Sequence, residues 1–163
     1  LKRNFEEKSM DSITTALSLE QLRRLASGSE SVSEHVIDLL GAMQSSDEES
    51  RAWASDALET LEVLPLALAA QVAERCSSPH AAVAAWACIL LTRLGSDATK
   101  YQSAIVACLN DHPAISTRQQ AALALASVPD LDSAALDALR QAADSDDPRL
   151  KRLATSALAS GKS

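Results

Sequence analysis

Cys76 and His80 stand four residues apart, and so do Cys108 and His112. Two thiolates and two imidazoles are a donor set for a tetrahedral Cys2His2 zinc site. A spacing of four returns to nearly the same side of a helix, so each pair would present its donors together. The two pairs do not match each other in register. Cys76 falls in a column of apolar residues that repeats along the chain, whereas Cys108 is one residue out of it, about 100° round the helix. The two thiols are expected to point in different directions, which favours buried thiols and solvent-side imidazoles over a metal site. Three cysteines, an odd number in apolar surroundings, suit reduced thiols in a cytoplasmic protein better than a disulfide framework.

Other chemistry finds less support. No serine lies in a G-x-S-x-G elbow, and His35, His80 and His112 fall in separate segments, so no nucleophilic triad can be assembled. Four scattered glycines make no phosphate loop. The acidic groups Asp47, Glu48, Glu49 and Asp144, Asp146, Asp147 fall at turns and helix starts, where the helix dipole favours negative charge. The sequence therefore assigns no catalytic, cofactor-binding or metal-binding residue, and the chain is read as non-enzymatic. A formal charge of −7 argues against nucleic acid, because phosphate binding draws on Lys and Arg. The longest apolar run, Ala81–Leu91 (AAVAAWACILL), is too short for the 18 or more residues of a membrane span.

Which elements hold these residues follows from internal repetition. The segments RAWASDALETL, AAWACILLTRL, RQQAALALASV and KRLATSALAS align Ala54, Ala87, Ala121 and Ala154 in one column, with steps of 33, 34 and 33 residues. Leu58, Leu91, Leu125 and Leu158 repeat those steps. Upstream of each, Leu39, Val72, Ile105 and Leu139 form a second column, followed four residues later by Met43, Cys76, Leu109 and Ala143. Each unit therefore holds two helices, and positions 54, 57, 58 and 61 have the i, i+3, i+4, i+7 spacing of one helical face. Pro79, Pro113 and Pro148 stand at or beside the first turn of the second helices, while Pro65 and Pro129 mark turns between units. Gly95 and Gly161 are placed as C-terminal caps, and Ser46 with Glu49 is read as a capping box.

The expected fold is all-α: a right-handed α-α superhelix of four helical hairpins at 31–62, 65–95, 98–128 and 131–160. Residues 1–30, which include SLEQLRRLA, form an N-terminal helical cap or degenerate half-repeat. In such a stack each interior helix is covered by its partner and by both neighbouring units, which explains an apolar run with no polar side.

The last unit, DSDDPRLKRLATSAL, resembles the second-helix pattern of HEAT repeats, D-x-x-P-x-V-R-x-x-A-x-x-A-L. Asp147, Pro148, Leu150, Lys151, Ala154, Ala157 and Leu158 stand in matching places. SSDEESRAWASDAL and NDHPAISTRQQAALAL are looser versions. The chain is similar to short-period HEAT arrays of the phycobilin-lyase type over about residues 31–160. That resemblance implies an α-solenoid and a ladder pairing Asp47, Asp111 and Asp147 with Arg51, Arg118 and Lys151, broken where Ala84 replaces the base.

The face of each second helix that points away from its partner comprises positions 52, 56 and 59 and their equivalents. It carries Asp56 and Glu59 in the first unit, Ala85, Ile89 and Thr92 in the second, Gln119, Leu123 and Ala126 in the third, and Arg152 and Ser156 in the fourth. Trp53 and Trp86 share a column at its edge, on helices about 8–10 Å apart, as interface anchors or as fillers between units. The functional expectation is a scaffold or adaptor that holds a peptide or protein on the concave face through Trp53, Asp56, Glu59, Ala85, Trp86, Ile89, Gln119 and Leu123. Its partner would bear basic residues; self-association through the same face is also open. The competing readings are a bilin-lyase-like or other small-molecule HEAT enzyme, which needs a pocket with titratable residues, and a regulatory domain excised from a larger protein. A glycosylase-like HEAT enzyme would need a basic concave face.

Overall fold

The computed structural model describes residues 16–160. These form nine α-helices, with short 3-10 turns between some of them and no strand among the described residues. Helix α1 spans Leu19–Ala26. The pairs α2 (Val36–Ala42) with α3 (Glu48–Glu59), α4 (Ala69–Arg75) with α5 (Ala81–Thr92), α6 (Gln102–Asp111) with α7 (Ile115–Leu125), and α8 (Ser133–Ala143) with α9 (Pro148–Ser160) are antiparallel hairpins. The architecture is an α-solenoid.

The repeat columns become the core. Ala54, Ala87, Ala121 and Ala154 are fully buried, as are Leu39, Val72, Ile105 and Leu139. Small side chains let backbones approach, and α5 packs closely on α7, α7 on α9, and α6 on α8. Helix α1 packs along α3 in the same manner as α5 along α7. The apolar run at 81–91 is α5, which lies against α2, α4, α6 and α7. Val83, Ala84, Ala87, Cys88, Leu90 and Leu91 are all buried, so partners on several sides replace the polar face a surface helix would need.

Close stacking is interrupted once. Helices α3 and α5 are not closely packed, and α2 rather than α3 lies against α5. Across this junction Arg93 Nη1 donates to the carbonyls of Leu58 and Leu61 at 2.5 and 2.6 Å, and the guanidinium lies 5.8 Å from the centre of the Trp86 ring. The Trp86–Arg93 pair thus stands between α5 and the C-terminal end of α3. Burial lowers the pKa of Arg93 while the charge of Glu59 opposes the shift; the guanidinium remains a cation at neutral pH.

Two local expectations are corrected. Helix α3 is capped by Asp47, not Ser46: the Asp47 carboxylate accepts from the Ser50 N–H at 2.8 Å, and Glu49 instead meets Arg23 and Trp53. A capping box does form one element earlier, where Ser18 and Gln21 open α1. The expected Asp–Arg ladder is replaced by bonds to backbone. Arg51 donates to the Ser45 carbonyl at 2.7 Å and Arg118 to the Leu109 carbonyl at 2.8 Å, so each cation neutralises the end of the preceding helix in its own hairpin. Gly95 has φ +61°, in the left-handed region that suits a helix end, whereas Gly161 lies outside the described residues.

Candidate functional site

The outward side of the second helices is built by the same periodicity that buries the other side. Asp56 and Glu59 on α3 are exposed; Ala85 and Ile89 on α5 are half-buried; Leu123 on α7 is 46% exposed. Ile89 and Leu123 border a shallow depression of about 160 Å³ with Thr92, Gln120, Ala124 and Ser127. Neither packs against the hydrophobic core, unlike every other large apolar side chain of α5. At the start of α7, Ile115 is also exposed.

The two tryptophans sit differently from Ile89 and Leu123. Both are half-buried and packed against the core. Trp53 lies under Arg23, 5.9 Å from the ring centre, and its Nε1 donates to Glu49 at 3.3 Å. Arg23 also pairs with Glu49, which holds that carboxyl below its usual range. Each indole is therefore covered by an arginine.

Gln119 departs from its expected place. It is buried rather than on the open face, and its amide donates to Asp147 Oδ1 at 2.9 Å across the junction between the third and fourth hairpins. Asp147 Oδ1 also accepts from the Leu150 N–H at 2.6 Å, capping α9. The Leu150 N–H and then the Gln119 amide hold the Asp147 carboxyl below its ordinary value. A polar side chain in an alanine-rich face was legible as polar; its partner, 28 residues on, was not.

The cysteines also converge more than their register suggests. Cys88, on α5, lies 3.8 Å from Cys76 through their Sγ atoms, and Cys108 is near enough to perturb its thiol. All three are buried and free. The neighbouring thiols and the surrounding apolar atoms push the Cys88 thiol far up, so it stays protonated. Cys76 and Cys108 border one groove of about 340 Å³, shared with Asp111 and His112. His112 is buried rather than solvent-side: its Nδ1 accepts from the Ala114 N–H at 3.1 Å, which leaves Nε2–H to donate to the Ser78 carbonyl at 3.1 Å. Its nitrogens are occupied with backbone, while His80 is exposed. Among the described residues no group of three or more His, Cys, Asp or Glu side chains is arranged to hold a metal ion.

The model of the HEAT repeats family matches residues 66–159, more than half of the chain. The chain belongs to the HEAT-repeat family. No curated protein matches the sequence. HEAT repeats commonly mediate protein–protein interaction, and the family is generally non-enzymatic. No helix among the described residues is long and apolar enough to cross a membrane.

Proposed function

We infer that this HEAT array is a non-enzymatic scaffold or adaptor, acting in the cytoplasm, that binds a peptide or protein across the concave face lined by its second helices. One observation carries the reading: Ile89 and Leu123, adjacent on neighbouring helices, are withheld from the core although the repeat would gain from burying them. Partly exposed apolar side chains kept off the core beside a shallow depression are a usual mark of an interaction surface. Asp56 and Glu59, exposed on α3, favour a partner with basic residues. The tryptophans contribute as half-buried walls stiffened by arginine. The four repeats of residues 31–163, together with the N-terminal cap at 1–30, make up one domain in this reading.

The test is an affinity capture from the cell of origin, comparing the wild type with Leu123→Asp. Because Leu123 is exposed and outside the core, the variant keeps its helical circular dichroism and thermal midpoint. Retention of a specific partner by the wild type and its loss from the folded variant is the expected result. A partner captured equally by both would place the interface elsewhere and overturn the reading.

A further inference from the structure

The second helices differ in charge in a graded way. Helix α3 carries four carboxylates and one guanidinium, α5 has no charge, α7 has only Arg118, and α9 has Arg149, Lys151 and Arg152 with no acid. Arg118 is turned inward onto the Leu109 carbonyl. Asp56 and Glu59 at one end and Arg149 and Arg152 at the other are exposed and form no ion pair with any described residue. Between them lie Ile89, Leu123 and small or uncharged polar groups, with Trp86 and the half-buried Arg93 on the side towards α3. The face is acidic on the first hairpin, apolar in the middle and basic on the last.

Resting on the interaction reading above, we propose that the occupant is a single polypeptide segment with its own charge order: a basic end seated on α3, an apolar centre on Ile89 and Leu123, and an acidic end on α9. A face of one sign would attract any chain of opposite charge, but two opposed ends also fix direction, because the reversed segment brings like charges together at both ends. Nucleic acid is disfavoured, since its phosphates would meet Asp56 and Glu59 as well as Arg149 and Arg152. A second copy is disfavoured by area: a stable dimer buries about 800 Å² per partner around an apolar centre, and here the centre is little more than one row of side chains. From α5 to α9, which are closely stacked through α7, the face spans two helix spacings of about 8–10 Å, roughly 18 Å. An extended strand covers that in about five or six residues and a helix in about twelve, with the basic end continuing past α5 towards α3.

The experiment uses a random twelve-residue peptide library displayed on phage, selected against the whole chain, with enriched peptides then synthesised and their affinities measured by fluorescence anisotropy. Enriched sequences are expected to carry Lys or Arg at one end, apolar residues centrally and Asp or Glu at the other. Leu123→Asp should abolish their binding. The double variant Arg149→Glu, Arg152→Glu should weaken it about tenfold, as expected for two rim charge pairs, and changing the peptide's acidic end to lysine should restore it. A benzophenone on the basic end should crosslink to α3 and one on the acidic end to α9. Peptides that require Leu123 but show no charge order, or crosslink at both ends alike, overturn the proposed orientation and leave the interaction face standing. Failure to enrich any peptide, or enrichment of peptides indifferent to Leu123→Asp, overturns both. A dimer in sedimentation equilibrium that Leu123→Asp dissociates makes a second copy the occupant and also overturns the proposal.

Discussion

Arg93 joins two hairpins at the one junction where the second helices are not closely packed, which makes its removal a sharp test of how the array is held together. Its Nη1 satisfies two carbonyls at the end of α3, Leu58 and Leu61, at 2.5 and 2.6 Å. A hydrogen bond to a charged group contributes about 1.5–3 kcal/mol, and a guanidinium over an indole about 0.5–1 kcal/mol at an exposed site. Arg93 is only partly buried, so water can replace some of what is lost, and Arg93→Ala is expected to cost about 2–3 kcal/mol. At roughly 2–4 °C per kcal/mol for a domain of this size, the thermal midpoint would fall by about 5–10 °C. Arg93→Lys keeps a charge but not the planar fork, and is expected to lose about half as much. Urea unfolding gives the magnitude and amide hydrogen exchange gives the place. Amides of α1–α3 should lose protection before those of α7–α9, because the first hairpin depends on this tie and the last two stack through alanines. A cost below about 0.5 kcal/mol, or loss of protection spread evenly over the chain, would refute the argument.

A second comparison separates core from face with one chemistry. Leu91→Ala, at a fully buried site, is expected to cost about 3–4 kcal/mol, whereas Leu123→Ala, at 46% exposure, is expected to cost less than about 1 kcal/mol; equal losses in urea unfolding would contradict the assignment of either residue. The third concerns acid. The Asp147 carboxyl is held below its ordinary 3.8 by the Leu150 N–H and Gln119, so the unfolded chain binds its proton more tightly than the folded one. The stabilisation is therefore present above about pH 3.8 and lost as pH falls through the lowered value. Asp147→Asn should flatten the pH dependence of the urea midpoint in that window, and an unchanged slope would rule the contribution out.

Periodicity made the architecture legible because burial is a property of columns: a residue every 33 or 34 positions samples the same environment, and alanine at 54, 87, 121 and 154 leaves little choice about which side faces inward. The exposed positions of Asp56, Glu59 and Leu123 follow from the same columns. What the columns could not carry were contacts made by single long side chains. The role of Arg93 is not written in the columns because its partners are backbone carbonyls, which have no sequence signature. Gln119 looked like a surface residue because its column holds Ala85 and Arg152, and only the placement of Asp147 in the next hairpin makes burying an amide favourable. The approach of Cys88 to Cys76 is not encoded in spacing along either helix, because the two sulfurs meet between helices.

The polar bonds between hairpins occupy a different column at each junction. The first junction uses Arg93; the second uses His112 on Ser78 and Thr117 Oγ1 on the Ala81 carbonyl at 3.1 Å; the third uses Gln119 on Asp147 and Gln102 Oε1 accepting from the Asp132 N–H at 3.0 Å. An array whose apolar columns are nearly interchangeable is prone to stack the wrong neighbours during folding. Here a hairpin that presented His80 or Ala114 in the place of Asp147 would leave the buried Gln119 amide without its carboxylate, at about 1–3 kcal/mol. Gln119 on Asp147 thus works as an address: the alanines make any two hairpins adhesive, and this side-chain pair favours a neighbour that carries the carboxylate.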